Sequence, residues 1–110
     1  MDLSFIICEF HCPTEIGPCL EAIERNAGSG SREIIVSSNS GYPPPERERL
    51  RNAFPQAAWV FNERNRGYAY AMTRGMTSAG GDLCVLLNAD ARLRSGLRPA
   101  LQLFAAHEDV

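Results

Sequence analysis

The residues of this chain best placed to do chemistry are Asn88 and Asp90, in the segment Leu87-Asn88-Ala89-Asp90 directly after an apolar run. A carboxylate beside an amide oxygen is an oxygen donor set of the kind Mg2+ and Mn2+ prefer. Mg2+ in particular takes one or two carboxylates and completes its shell with phosphates and water. A turn-forming or capping role is the plainer alternative for Asp90. Upstream, Asn65-Arg66-Gly67 precedes a helix-compatible stretch. Free N–H groups at a helix start are natural anion donors, and Gly67 permits close backbone approach. All eleven basic residues are Arg, whose planar fork suits phosphate oxygens. Residues 64–98 hold Arg64, Arg66, Arg74, Arg92, Arg94 and Arg98 against Asp82 and Asp90, whereas residues 1–24 carry acids and no Arg. That asymmetry favours a phosphorylated ligand, with solvated surface charge as the alternative for any single Arg.

The elements that must position these residues are legible as alternating runs. Strands are expected over 3–8, 33–37, 58–61 and 83–87, each aliphatic, β-branched or aromatic without strict alternation, as when both sheet faces are covered. Helices are expected between them. Pro18 to Asn26 places Leu20, Ile23 and Ala27 on one face, with Gly28 as its stop; Pro44 to Phe54 pairs Leu50 with Phe54; Gly67 to Ala79 aligns Tyr68, Met72 and Met76 as a core stripe. Ser95 is expected to cap a last helix with Leu97, Leu101 and Phe104 inward. The order predicts an α/β fold: a mostly parallel, four-stranded, Rossmann-like sheet flanked by helices. Ligands of such sheets bind beyond the carboxyl ends of the strands. Those ends are residues 9–12, 37–40, 62–67 and 88–92, where most of the chemically unusual residues fall.

Several functions are disfavoured by the same reading. The net charge of −2 argues against a dedicated nucleic-acid binder. No apolar run approaches the roughly 20 residues of a bilayer span, and the start lacks the basic residues of a signal peptide, so a cytoplasmic location is expected. Cys8, Cys12, Cys19 and Cys84 lack the paired spacing of a structural zinc site, and Cys8 and Cys84 read as small buried hydrophobes. Gly75 to Asp82 mimics a phosphate-binding loop only in its glycines, and no Gly-x-Gly-x-x-Gly follows the first strand.

The stretch NERNRGYAYAMTRGMTSAGGDLCVLLNADARL resembles the family-2 glycosyltransferases, in the order Asn-x-Gly, Gly-Met, Ala-x-Gly-Asp and Leu-Asn-x-Asp. Pro18-Cys19-Leu20 and, more loosely, Val36-Ser37-Ser38-Asn39-Ser40 extend the likeness over nearly the whole chain. It implies a truncated GT-A fold, with residues 1–110 forming a single nucleotide-sugar-binding domain whose acceptor half is absent. It also implies a nucleoside-diphosphate sugar as ligand, Mg2+ or Mn2+ as cofactor, and sugar transfer to an acceptor hydroxyl by inverting displacement. By resemblance Asp90 is the metal ligand. Phe10, His11, Ser37, Ser38, Asn65, Arg66, Gly67 and Asn88 are donor-binding, with Phe10 or His11 toward the base.

There are departures from the family pattern. Ser37 and Ser38 stand where the family has Asp and Asn, Arg66 where it has Leu, and Thr73 where it often has Asn. The family's general base belongs to the acceptor half, so no residue is assigned that role. The alternative is a non-catalytic nucleotide-binding or assembly module, with homo-oligomer formation through uncovered sheet surface. A nucleotidyltransferase is disfavoured, because Glu9-Phe10-His11-Cys12-Pro13 replaces the Gly-rich basic loop.

Overall fold

The structure, a computed structural model, describes residues 2–27 and 30–91. In chain order its elements are β1 (Leu3–Glu9), a 3-10 turn (Pro13–Glu15), α1 (Ile16–Asn26), β2 (Arg32–Ser38), α2 (Pro44–Ala53), β3 (Ala58–Phe61), α3 (Tyr68–Thr77) and β4 (Leu83–Asn88). All four strands are parallel, in the order β3-β2-β1-β4. This is the α/β sheet the apolar runs predict. The last expected helix, from Ser95, and the Gly28 stop lie outside the described residues.

Alternation along β1 divides the core into two layers. Phe5 and Ile7 turn to one face, where Ile34 and Val36 of β2 meet Ile16, Cys19, Leu20 and Ile23 of α1. Ile6 turns to the other, with Ile35 and Met72 of α3. Burying each of these side chains contributes about 1.5–3 kcal/mol, and the two polar residues of β1, Ser4 and Glu9, are buried only with hydrogen-bond partners.

Two core expectations need correction. The Tyr68, Met72 and Met76 stripe is buried only at Met72; Tyr68 is 51% and Met76 39% exposed. The buried face of α3 is Ala71, Met72 and Gly75. A Cβ at Gly75 would overlap Ile6 Cγ2, so the helix sits close to the sheet on small residues and its larger ones are turned outward. Likewise Cys8 and Cys84 are half-buried, while Cys19 is the buried thiol. Cys8 and Cys84 lie on the α3 side, a layer that Met72 and its few partners cover less fully.

The amino ends of the strands are tied by a small polar latch. Ser4 Oγ donates to Glu33 Oε2 (2.6 Å), which also accepts from Gly80 N (2.6 Å), and Gly81 N donates to Ser4 Oγ (2.9 Å). The Ser4 hydroxyl first, then the Gly80 amide, holds the Glu33 carboxyl below its ordinary value. A carboxylate with a depressed folded-state pKa stabilises the fold above its unfolded pKa, and the gain is lost as pH falls through the folded value. Glu33→Gln is therefore expected to lower the Tm at pH 7. The gap from wild type should close as the pH is taken below about 4, the unperturbed carboxylate range, in thermal melts followed by circular dichroism. A gap that persists unchanged at low pH would contradict this role.

Candidate functional site

At the opposite edge of the sheet, β1 ends in Glu9, a carboxylate with 0% exposure. The pairing of Glu9 with Ser38 in the β1–β2 ladder brings the two strand ends side by side. Ser38 Oγ (2.5 Å) and Ser40 Oγ (2.7 Å) donate to Glu9 Oε1. Tyr42 OH (2.8 Å) and the Cys12 amide (2.9 Å) donate to Oε2. Burial, with the carboxylate beside it, pushes the Tyr42 hydroxyl up to about 12, so it remains a donor at neutral pH. Burial first, and Glu9 second, also raises the Cys8 thiol.

A second network fixes the entry to α3. Asn39 Nδ2 donates to Asn65 Oδ1 (3.1 Å) and to the Gly67 carbonyl (3.0 Å), while the Gly67 amide donates to Asn65 Oδ1 (2.9 Å). Asn62 Nδ2 donates to Asn39 Oδ1 (2.8 Å) and Ser37 Oγ (3.1 Å). Gly67 has φ +97°, a conformation L side chains rarely adopt. No side chain caps α3, so the N–H groups of its first turn remain as donors at the rim.

Between these networks lies a cleft of about 330 Å³, lined by Phe10, Asn39, Asn65, Gly67, Asn88 and Asp90 among others. It lies beyond the carboxyl ends of β1 and β4; β2 and β4 flank β1 on opposite sides, which makes this the switch point expected to bind ligands. The Ala89 amide donates to the Cys8 carbonyl (2.9 Å), carrying the ladder one residue past β4 and burying Ala89. Asn88 and Asp90, on either side of it, are exposed. Phe10 is 47% exposed at the cleft wall.

The structure thus gathers Phe10, Asn65, Gly67, Asn88 and Asp90 at one cleft. The other candidates fall elsewhere. Ser37 and Ser38 are fully buried with their hydroxyls bound to Asn62 and Glu9. His11 is exposed at φ 54°, its ring centroid 4.1 Å from that of Phe10. Arg66 stands over the Tyr70 ring (5.4 Å) and lines a different cavity. Sequence reading missed Glu9, Asn39 and Asn62. The one signal was an acidic residue at the end of an otherwise apolar strand, since such a carboxylate must find several donors if buried.

Comparison with known proteins agrees with this architecture. Among curated proteins none matches the chain significantly. Among solved structures, a mannosyltransferase from Pyrobaculum calidifontis in complex with GDP-Man and Mn2+ superposes with a TM-score of 0.67 at 21% identity, over 82% of this chain and 28% of that one. TarS 1–349 of S. aureus in complex with UDP gives 0.73 at 15% identity, over 98% of this chain and 33% of that one. S. aureus TarS gives 0.75 at 15% identity, over 98% and 20%. At these identities the likeness shows the fold, and the chain spans between a fifth and a third of the structures it matches. The family model described as glycosyl transferase family 2 matches residues 4–110, and with that, the parallel sheet and the cleft beyond its carboxyl edge, the chain belongs to glycosyl transferase family 2.

Proposed function

We propose that the cleft binds the nucleoside diphosphate of a sugar donor, through Mg2+ or Mn2+ held by Asp90. The observation that carries this reading is the convergence of Asp90, Asn88, Asn65, Gly67 and Phe10 on one cavity at the switch point. The donor set fits such a cation. Among the described residues no three His, Cys, Asp or Glu side chains assemble into a metal cage. One exposed carboxylate and an amide oxygen leave most of the shell to phosphate and water, as Mg2+ usually has it. When bound, the cation neutralises charge building on the leaving diphosphate. The chain's own groups do the rest. Asn88 offers an amide oxygen to metal-bound water or a sugar hydroxyl. The first turn of α3 presents N–H donors to phosphate oxygens. Phe10 offers a flat apolar face to the base, and its contact with His11 steadies it.

The wider activity proposed for the protein is sugar transfer to an acceptor hydroxyl. The bond from the sugar to the diphosphate breaks as that to the acceptor oxygen forms, and a base takes the hydroxyl proton. Among the described residues the one carboxylate lining the cleft is Asp90, which this reading commits to the cation, so donor binding is the part assigned to this stretch.

β4 is outermost among the described strands, and its Leu86 is 44% exposed. These features support self-association through the sheet, though no helix of the described residues is long and apolar enough to cross a membrane. Light scattering on a size-exclusion column is expected to show a dimer or larger species that Leu86→Arg dissociates; a monomer throughout would remove this reading.

Isothermal titration of UDP and GDP with and without Mn2+ tests the site. Binding by the wild type should depend on Mn2+, and Asp90→Ala should weaken it at least about tenfold. Metal-independent binding that Asp90→Ala leaves intact would sink the assignment. Glu9→Ala tests the frame beneath it. Stranding several buried donors, at about 1–3 kcal/mol each, should cost at least about 3 kcal/mol in urea denaturation. Nucleotide affinity should fall even under conditions where the variant remains folded. A loss under about 1 kcal/mol would mean the network is ornamental.

A further inference from the structure

A second cavity, about 480 Å³, shares no lining residue with the cleft. Its walls include Asn62, Glu63, Arg64, Arg66, Tyr70 and Arg74. We propose that this cavity is a metal-independent site for a phosphate or diphosphate group, separate from the donor cleft.

The other described arginines already have partners. Arg25 pairs with Glu21, Arg32 with Glu24 (2.8 Å), Arg49 with Glu46 and Arg51 with Glu48 (3.9 Å). Arg47 donates from Nε to the Tyr42 carbonyl (2.7 Å). Among the described residues, the three arginines with neither a carboxylate within 4.0 Å nor a backbone acceptor are Arg64, Arg66 and Arg74, and all three line this one cavity. Among the described residues of its lining the one acid against them is Glu63, which gives that lining an excess of positive charge.

The surroundings strengthen that field and order it. Phe61, also in the wall, has the guanidiniums of Arg47 and Arg51 at 5.5 and 5.0 Å from its ring. Arg66 is held over the Tyr70 ring at 5.4 Å, which limits its rotamers and keeps its N–H edge available. Asn62 anchors the floor, its amide fixed by Ser37 and Asn39. Several guanidinium forks converging on one cavity suit a tetrahedral oxyanion with three or more acceptor oxygens, better than a carboxylate with two. The overall charge of −2 and the confinement of these arginines to a single cavity disfavour an extended polyanion such as nucleic acid. The phosphate can come from a soluble compound or from a lipid headgroup, since both present the same group.

The test uses inorganic pyrophosphate and the full chain, in EDTA at low salt, by isothermal titration. Wild type and Asp90→Ala are expected to bind alike. The double variant Arg64→Gln/Arg74→Gln changes two exposed side chains and is checked for an unchanged melt. It should bind at least about tenfold more weakly through loss of charge-assisted hydrogen bonds. A second arm sediments phosphatidylcholine vesicles containing phosphatidic acid or, separately, phosphatidylglycerol. Capture by phosphatidic acid alone, abolished in the double variant, also supports the site and assigns its phosphate to a headgroup. Three outcomes overturn the proposal. One is no binding of either probe that the arginine substitutions weaken. Another is pyrophosphate binding lost in Asp90→Ala, which would assign the anion to the cleft. The last is equal capture by both anionic lipids, which would reflect general surface charge.

Discussion

Taking an ionised carboxylate out of water costs several kcal/mol unless donors replace the solvent on both oxygens. Glu9 meets that demand with two serine hydroxyls, a phenol and a backbone amide. Those donors come from the loop after β1, the end of β2 and the segment leading to α2. One carboxylate therefore holds three separate pieces of chain against one another at the edge where ligands of parallel sheets bind. Each hydrogen bond to a charged acceptor contributes about 1.5–3 kcal/mol, and the set is cooperative because loss of one partner leaves the charge underserved. The walls of the cleft owe their positions to this centre and to the asparagine cluster beside it.

The sheet was legible because its physics is local. Runs such as Leu3 to Cys8 and Ile34 to Val36 leave no other way to bury so much apolar surface, and element bounds moved by only one or two residues. What escaped depended on pairing at a distance. Glu9 and Ser38 are far apart in sequence and look like ordinary loop-edge polars until the β1–β2 ladder sets them opposite each other. The same ladder buries Ser37 and Ser38, which the strand-end position alone places at the site. The α3 stripe failed for a related reason. Periodicity identifies a face of a helix but not how deeply it seats, and Gly75 against Ile6 decided that. That Asn65, Gly67, Asn88 and Asp90 line one cleft was readable because they sit where the chain leaves or enters regular structure.

The two cavities differ in how they balance charge. Among the described residues the cleft brings a carboxylate and amides but no guanidinium, and the diphosphate proposed for it would rely on a cation to offset Asp90 and its own charge. The arginine-lined cavity carries its positive charge in the protein and needs none. The 62–67 segment contributes residues to both, with Asn65 and Gly67 in one and Arg64 and Arg66 in the other.

The alternation along β1 also bears on how this protein can change over evolutionary time. Cys8 opens on the cleft while Glu9 turns into the α1 layer, so neighbouring positions serve opposite sides of the sheet. A single-codon deletion early in β1 would shift every later residue by one position, placing the Phe10 ring among the four donors and a carboxylate in the cavity. Substitution is open to lineages descending from this chain, but length change in that strand is not. Insertions are tolerable only where the backbone has left the ladder, in the exposed turns between elements.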